Sequence, residues 1–220
     1  MTRILKIESA SELQNAANLA AETMSQGGMI LYPTDTTYAV GVNALDVHAV
    51  DKVFQLKGRD YSKPIHVVVR DIEQAAKYVQ VSDLARTIGE HFLPGALTLV
   101  LSQTVNTKIP SLLVAGESTL GVRIPAHPVC VGLSKTVPFP ITTTSANRSG
   151  MPNTYDINTV QDQLGADFER FDLVLDAGSL VGGVSTVIAV KDQEVQLIRQ
   201  GAIPFSDILE LVESSQRKAE

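Results

Sequence analysis

Three polar clusters break an otherwise apolar pattern, and each follows a segment that reads as buried. The first is Tyr32-Pro33-Thr34-Asp35-Thr36-Thr37-Tyr38. Hydroxyls and a carboxylate bunched after an apolar run can hold a small polar ligand. The same residues also make a turn stabilised by Asx and hydroxyl caps. The second is Lys57-Gly58-Arg59-Asp60-Tyr61-Ser62-Lys63-Pro64, which sets Lys57, Arg59 and Lys63 against the single acid Asp60. In extended chain an i, i+2 pair points to one side. Two cations on one side suit a polyphosphate, with arginine as a fork and lysine as a point charge. Solvated charges at a helix C-terminus account for this segment equally well. The third runs from Thr142 to Gly150 (TTTSANRSG). Ser145 and Asn147 share a side across Ala146. Such a loop suits a sugar, a phosphate or a carboxylate, and it also reads as a plain polar turn.

Single positions add to these. Arg123 sits inside the apolar pattern Gly121-Val122-Arg123-Ile124 and must find a partner, because an unpaired buried charge is costly. That partner is a ligand carboxylate or a protein acid, and the sequence leaves both open. Ser185-Thr186 opens a strand, and Arg199 ends one in Ile198-Arg199-Gln200-Gly201. His48, His91 and His127 read as surface or capping residues. The lone cysteine, Cys130, lies in an apolar stretch and reads as a small buried hydrophobe. No Cys/His spacing resembles a zinc site. Neither phosphate-binding glycine fingerprint occurs, nor G-x-S-x-G, nor H-E-x-x-H.

The elements that must position these residues follow from periodicity and caps. Ser9 or Ser11 caps a helix carrying Leu13, Ala16, Ala17, Ala20 and Met24, ended by Gly27-Gly28. Met29 to Tyr32 is a buried strand stopped by Pro33. Asp46 caps a second helix with Val47, Val50 and Phe54 on its inner face and Gly58 as its stop. Strands are expected over 65–69, 96–101, 120–124, 141–144, 172–176, 184–190 and 194–199. Helices are expected near 71–79, 82–91, 127–135, 156–164 and 206–214, with a fraying tail beyond. Helices and strands interleave without strict βαβ regularity, and the late strands sit close together as in hairpins. This pattern predicts a single α/β domain with a mixed, twisted sheet and helices packed against it.

With 220 residues, 44% apolar and 19% charged, the chain is long enough for a real core. Its net charge of −6 disfavours tight, non-specific nucleic-acid binding, and its lack of tryptophan disfavours a base-stacking surface. A local basic pocket remains compatible with that balance. The N-terminus lacks a signal-peptide apolar region, and no apolar run approaches the roughly 20 residues a bilayer needs, so a cytoplasmic protein is expected.

Taken in order, YPTDTTYAVG, KGRDYSKP, PGALTLVL, GVRIP, TSANRSG, STV and IRQG resemble the YrdC/Sua5 family, the threonylcarbamoyl-AMP synthases. The resemblance runs over roughly residues 10–205. It implies a YrdC-like domain there, with 206–220 as a C-terminal helix and tail, and a concave ligand groove on the sheet. It implies that Lys57, Arg59 and Lys63 contact ATP phosphates at the edge of that groove. Ser145 and Asn147 match the family's S-x-N pair, and Thr119, Asn153 and Arg199 fall at further nucleotide-side positions. Thr36, Arg123, Thr143 and Ser185 fall where the amino acid is held. Many members carry a histidine two places after His66. Positions 66 and 68 share a strand face, so His66 can substitute for it. Where the family usually reads Tyr-Gly-Leu-Gly, this chain has Tyr38-Ala39-Val40-Gly41. A paralogous group shares that alanine but tends to lose the K-x-R and S-x-N pairs, which are intact here.

The implied reaction joins L-threonine, bicarbonate and ATP, with Mg²⁺ arriving on the ATP, and releases pyrophosphate. The adenylate would pass to a tRNA threonylcarbamoyl transferase, with weak or indirect tRNA contact and no membrane. No residue must act as nucleophile or strongly tuned base, so catalysis by positioning and charge neutralisation is expected. Two rivals stand beside it: a non-catalytic RNA-binding module, and a carbamoyl-adenylate transfer activity of larger multidomain relatives.

Overall fold

The computed structural model describes residues 2–217. In chain order the elements are β1 (Arg3–Lys6), α1 (Ala10–Ser25), β2 (Ile30–Pro33), β3 (Tyr38–Gly41), α2 (Val47–Lys57), β4 (His66–Val68), α3 (Ile72–Ala75), α4 (Asp83–Phe92), β5 (Leu97–Ser102), β6 (Thr119–Arg123), α5 (Pro128–Thr136), β7 (Ile141–Ser145) and α6 (Ile157–Leu164). A 3-10 turn (Gly165–Arg170), β8 (Leu173–Asp176), β9 (Thr186–Lys191), β10 (Glu194–Arg199) and α7 (Phe205–Arg217) follow.

The caps explain where helices begin and end. Ser9 Oγ accepts from the Glu12 amide at 3.3 Å and starts α1. Asp46 accepts from the amides of His48 (2.9 Å) and Ala49 (3.2 Å) and starts α2. Gly58, at φ +57°, takes the left-handed conformation that ends α2. Val47 was expected on the inner face of α2 but is exposed, since it sits at the first helical position, ahead of the turns that reach the core.

The strands form one ten-stranded sheet in the order β1-β8-β2-β3-β7-β4-β6-β5-β9-β10. Pairings are mixed: β4–β6 and β5–β9 are parallel, whereas β3–β7, β7–β4, β6–β5 and β9–β10 are antiparallel. The mixed sheet and the late hairpin match the sequence reading. Two strands escaped it. β1 is a short, largely exposed edge strand, and β3 is four buried residues with no alternation. Residues outside the expected 10–205 span also join this body. β1 pairs with β8, and α7 inserts Ile208 and Val212 into the larger core. The helix runs on to Arg217, and the rest of the expected fraying tail, 218–220, lies outside the described residues.

The two sheet faces are covered unequally, and this creates the site. One face carries Tyr38, Val40, Val67, Leu99, Val122 and Ile188 and is packed by α2, α3, α4, α6 and α7. The other face carries Ile30, Tyr32, Ala39, Val68 and Ile141 and is packed by Ala16, Ala17, Ala20 and Met24 of α1 and Val129, Cys130 and Leu133 of α5. Each fully buried Val, Leu, Ile or Met side chain among these contributes roughly 1.5–3 kcal/mol, and each alanine less. That second cover stops short. Over β4, β6, β5 and β9 the same face presents His66, Thr119, Gly121, Arg123, Thr98, Val100 and Val187, with no helix from that cluster packed on them. Side chains alternate with period two, so these positions share a face.

Candidate functional site

A cleft of about 160 Å³ occupies the uncovered half-face and is lined by Thr36, Thr37, Arg59, Pro64, Ile65, His66, Arg123, Thr143, Thr144, Ser145, Asn153, Val184, Ser185 and Arg199. Residues expected on the nucleotide side (Arg59, Ser145, Asn153, Arg199) and on the amino-acid side (Thr36, His66, Arg123, Thr143, Ser185) therefore line one cleft. A second cavity of about 300 Å³ continues from it, sharing Pro64, Ile65, His66 and Arg199 and adding Thr119 among Val100, Val114, Leu120, Val187 and Ile198. Thr119 thus lies in the more apolar extension. Lys57, Lys63 and Asn147 line neither cavity.

The threonine-rich segment is both a turn and a wall. The Thr34 hydroxyl donates to the Thr37 carbonyl (2.7 Å) and accepts from the amides of Thr36 (3.1 Å) and Thr37 (3.0 Å). A 2.9 Å contact also joins the Thr34 and Thr36 hydroxyls. Thr36 accepts in turn from Arg123 Nη2 at 3.2 Å.

Arg123 has a protein acid for a partner. Its Nη2 donates to Asp35 Oδ1 at 2.8 Å, with both side chains largely buried, and Asp35 Oδ2 accepts from the Ala126 amide at 3.1 Å. Arg123 Nε is buried with no partner, so the guanidinium keeps unused donor capacity at the cleft. Asp35 lay in the cluster singled out from sequence, but nothing there tied it to Arg123.

Lys57 departs from expectation in geometry. The i, i+2 argument assumed extended chain, whereas Lys57 ends a helix and Gly58 turns left-handed. Lys57 is 2% exposed rather than at a groove edge. Its ammonium donates to the Ser145 carbonyl, to the Asn147 carbonyl (2.7 Å) and to Asn147 Oδ1 (3.1 Å). The loop answers back: the Ser149 amide donates to the Lys57 carbonyl (2.9 Å) and Arg148 Nη1 to the Leu56 carbonyl (3.0 Å). Asn147 is also fixed by Ser145 Oγ (2.5 Å) and by its own donation to the Met151 carbonyl (2.6 Å). Burial and the neighbouring Arg59 push the Lys57 ammonium down to about 7. Arg59 folds over its own loop, donating to the carbonyls of Lys63 (3.0 Å) and Pro64 (2.8 Å), and still lines the cleft. Lys63 is exposed beside it.

The opposite wall depends on a β-bulge. Between Leu197 and Arg199 the register of β10 against β9 slips, which re-aims Arg199 into the cleft. Its guanidinium clasps Ser185, donating to the carbonyl from Nη2 (2.9 Å) and Nε (3.2 Å) and to Oγ from Nη2 (3.1 Å). The floor is His66. A Cβ built on Gly121 would lie 2.4 Å from the His66 ring, so the imidazole lies against a strand position that only glycine leaves open. Burial and the guanidinium groups of Arg123, Arg199 and Arg59 push His66 down to about 4, so it is neutral at pH 7. Among the described residues no group of three or more His, Cys, Asp or Glu side chains could hold a metal ion.

The remaining sequence readings fall away from the chemistry. His127 caps α5, and its Nδ1 accepts from the Val129 amide at 3.2 Å. Cys130 is buried, with its thiol pushed up by that burial. Ala39 is buried under α1 and α5 and does not line the cleft. No helix among the described residues is long and apolar enough to cross a membrane.

A half-covered mixed sheet whose bare face gathers three arginines, a neutral imidazole and several hydroxyls defines an α/β protein with one polar, cation-rich cleft. The family model described as "Telomere recombination", for the Sua5/YciO/YrdC domain, matches residues 22–201, and the chain belongs to that family. A Methanocaldococcus jannaschii relative, provisionally named a threonylcarbamoyl-AMP synthase, is 33% identical over 209 residues, 94% of this chain and 96% of its own. The Pyrococcus abyssi threonylcarbamoyl-AMP synthase is 30% identical over 96% of this chain, which spans only 61% of that relative's length. The crystal structure of P. abyssi Sua5 complexed with L-threonine superposes with a TM-score of 0.85 at 28% identity, covering 96% of this chain and 60% of that one. The crystal structure of Escherichia coli YciO shares the fold, with a TM-score of 0.82 at 24% identity over 94% of this chain and 98% of its own.

Proposed function

We propose that this protein is a threonylcarbamoyl-AMP synthase, a nucleotidyltransferase that forms threonylcarbamoyl-adenylate and pyrophosphate from L-threonine, bicarbonate and ATP. The observation that carries the reading is one cleft lined by Arg59, Ser145, Asn153 and Arg199 of the expected nucleotide set and by Thr36, His66, Arg123, Thr143 and Ser185 of the amino-acid set. Names of relatives and the threonine complex of P. abyssi Sua5 support it. In this reading the spare donors of Arg123 fork onto the amino-acid carboxylate. The Thr143 hydroxyl and the neutral His66 ring meet the substrate's polar groups. Arg59 and Arg199, with Lys63 at the rim, face the phosphates, and Ser145, Asn153 and Thr119 line the nucleotide's path. Lys57 and Asn147 act through the loop they hold.

The threonine amine and bicarbonate give an N-carboxy group with loss of water; its oxygen attacks the α-phosphorus, and pyrophosphate leaves with its charge met by the arginines. Mg²⁺ belongs to the ATP substrate here. The product is a mixed anhydride, which suits hand-off to a transferase that modifies tRNA in the cytoplasm.

The decisive assay follows pyrophosphate and adenylate mass in mixtures of ATP, bicarbonate and amino acid. Pyrophosphate release should require both L-threonine and bicarbonate. Inorganic phosphate as the product, or turnover indifferent to threonine, would sink the reading. Serine, one methyl short, should be about 10–200-fold poorer, and valine, which leaves the polar wall unpaired, should be poorer still.

A further inference from the structure

The run ALTLVL puts one hydroxyl, Thr98, into an otherwise apolar strand. Thr98 is 0% exposed, and its Oγ1 lies 2.9 Å from Ser185 Oγ. Among the described residues no other hydrogen bond reaches that hydroxyl. The two protons can be assigned by asking which arrangement leaves none stranded. Were Ser185 to donate to Thr98, the Thr98 proton would be buried in β5 with no acceptor, which dry interiors avoid. With Thr98 as donor, Ser185 Oγ accepts twice, from Thr98 and from Arg199 Nη2 at 3.1 Å, and both of its lone pairs are filled. The proton of Ser185 is then free, and Ser185 lines the cleft.

We infer that Thr98 is a positioning residue: it fixes the Ser185 hydroxyl as a pure donor aimed into the cleft, between Arg199 and Arg123, where an anionic oxygen of the amino-acid substrate would accept it. This rests on the proposed function for the identity of that substrate. Register supports the placement. Thr98 pairs with Val187 of β9, which pairs with Arg199 of β10, and Leu99 pairs with Val122, so the next step along brings Thr98 level with Arg123. Ser185 therefore does not read a substrate hydroxyl by accepting from it. It joins the donors that read negative charge.

The test is calorimetric binding of L-threonine and, separately, of ATP to the wild type, to Thr98→Val and to Thr98→Ser. Valine keeps the β-branched shape and removes the hydroxyl, so the strand should persist. Thr98→Val should weaken threonine about 10-fold, the scale of one misdirected charge-assisted hydrogen bond. ATP should change less than about 3-fold, because Arg199 stays clasped by the Ser185 carbonyl. Thr98→Ser restores the hydroxyl and should bring threonine binding back to near the wild-type value. Equal threonine affinity in wild type and Thr98→Val overturns the inference. So does a parallel loss of both ligands, or a serine variant no better than valine, since either would mark Thr98 as packing alone. A wild type that binds no threonine overturns the proposed function, and this inference falls with it.

Discussion

Lys57 and Arg59 stand two positions apart yet are put to different uses, and their variants should separate them. Arg59 is partly exposed and its bonds are to carbonyls of its own loop, so Arg59→Ala should fold normally. Its turnover in the pyrophosphate assay should fall at least ~100-fold, the scale of losing one preorganised donor to developing charge. Near-normal turnover would remove Arg59 from the site. Lys57→Met instead strands the carbonyls of Ser145 and Asn147 in a buried loop, and should cost about 1–3 kcal/mol of stability. The pH dependence has a definite sign. Lys57 titrates near 7 when folded and near its ordinary 10.5 when unfolded, so between those values the unfolded chain binds more protons. The cost of burying the charge is present in full below pH 7 and is relieved as pH rises toward 10. Denaturant unfolding should therefore show wild-type stability gaining on Lys57→Met across that window, and parallel pH curves would refute it. The sequence made residue types and spacings legible here, but not partners. Lys57, Asn147 and the Asp35–Arg123 pair find each other across 88 or more positions, a distance that no local pattern spans.

At the scale of elements the cleft depends on two glycines that sit against backbone or ring rather than in turns. A Cβ on Gly201 would lie 2.3 Å from the Ser185 carbonyl carbon and 2.4 Å from the Thr186 nitrogen. Backbone cannot step aside, so Gly201→Ala should push β10 off β9, with a cost near or above the ~3 kcal/mol upper range for overpacking. Gly121→Ala meets only the His66 ring, at 2.4 Å. It should cost less, about 1–3 kcal/mol, and displace the imidazole into the cleft, raising the threonine KM more than the ATP KM. Thermal unfolding and the two KM values together check this order, and a Gly201→Ala protein as stable as wild type would mean that the two segments separate at little cost. Helix ends were legible, because Ser9, Asp46 and Gly58 are chemically specific caps. β1 and β3 were not, because an exposed edge strand and four buried residues carry no period-two signal. Nor was the bulge before Arg199 visible, since a register slip is a property of two strands.

Across the whole molecule, charge is distributed against the grain of its total. The chain carries −6, yet Arg59, Arg123 and Arg199 line one cleft, and Lys63 is exposed in the loop that carries Arg59. Composition gave the acidic total, but the focusing needed the sheet order that brings β6, β10 and the loop after α2 together. This arrangement gives a synthase and an RNA-binding module different binding behaviour. An RNA phosphate backbone cannot enter far into a cleft of about 160 Å³, and Arg123 is already paired with Asp35, so about three cations (Arg59, Lys63, Arg199) remain for it. Three phosphate contacts give a slope of log affinity on log salt of roughly −2.1 to −2.7, so binding should fall roughly 20- to 40-fold between 50 and 200 mM salt. The acidic remainder repels the rest of the polyanion and adds nothing at physiological ionic strength, where screening acts within about 8 Å. ATP uses the same cations and should compete. Titration of labelled tRNA at several salt concentrations, with and without ATP, reads all of this at once. Weak, salt-sensitive binding abolished by ATP fits a catalytic cleft that meets tRNA only in passing. Tight binding at 150 mM salt that ATP leaves untouched would require a second, extended basic surface, and would return the molecule to the class of RNA-binding modules.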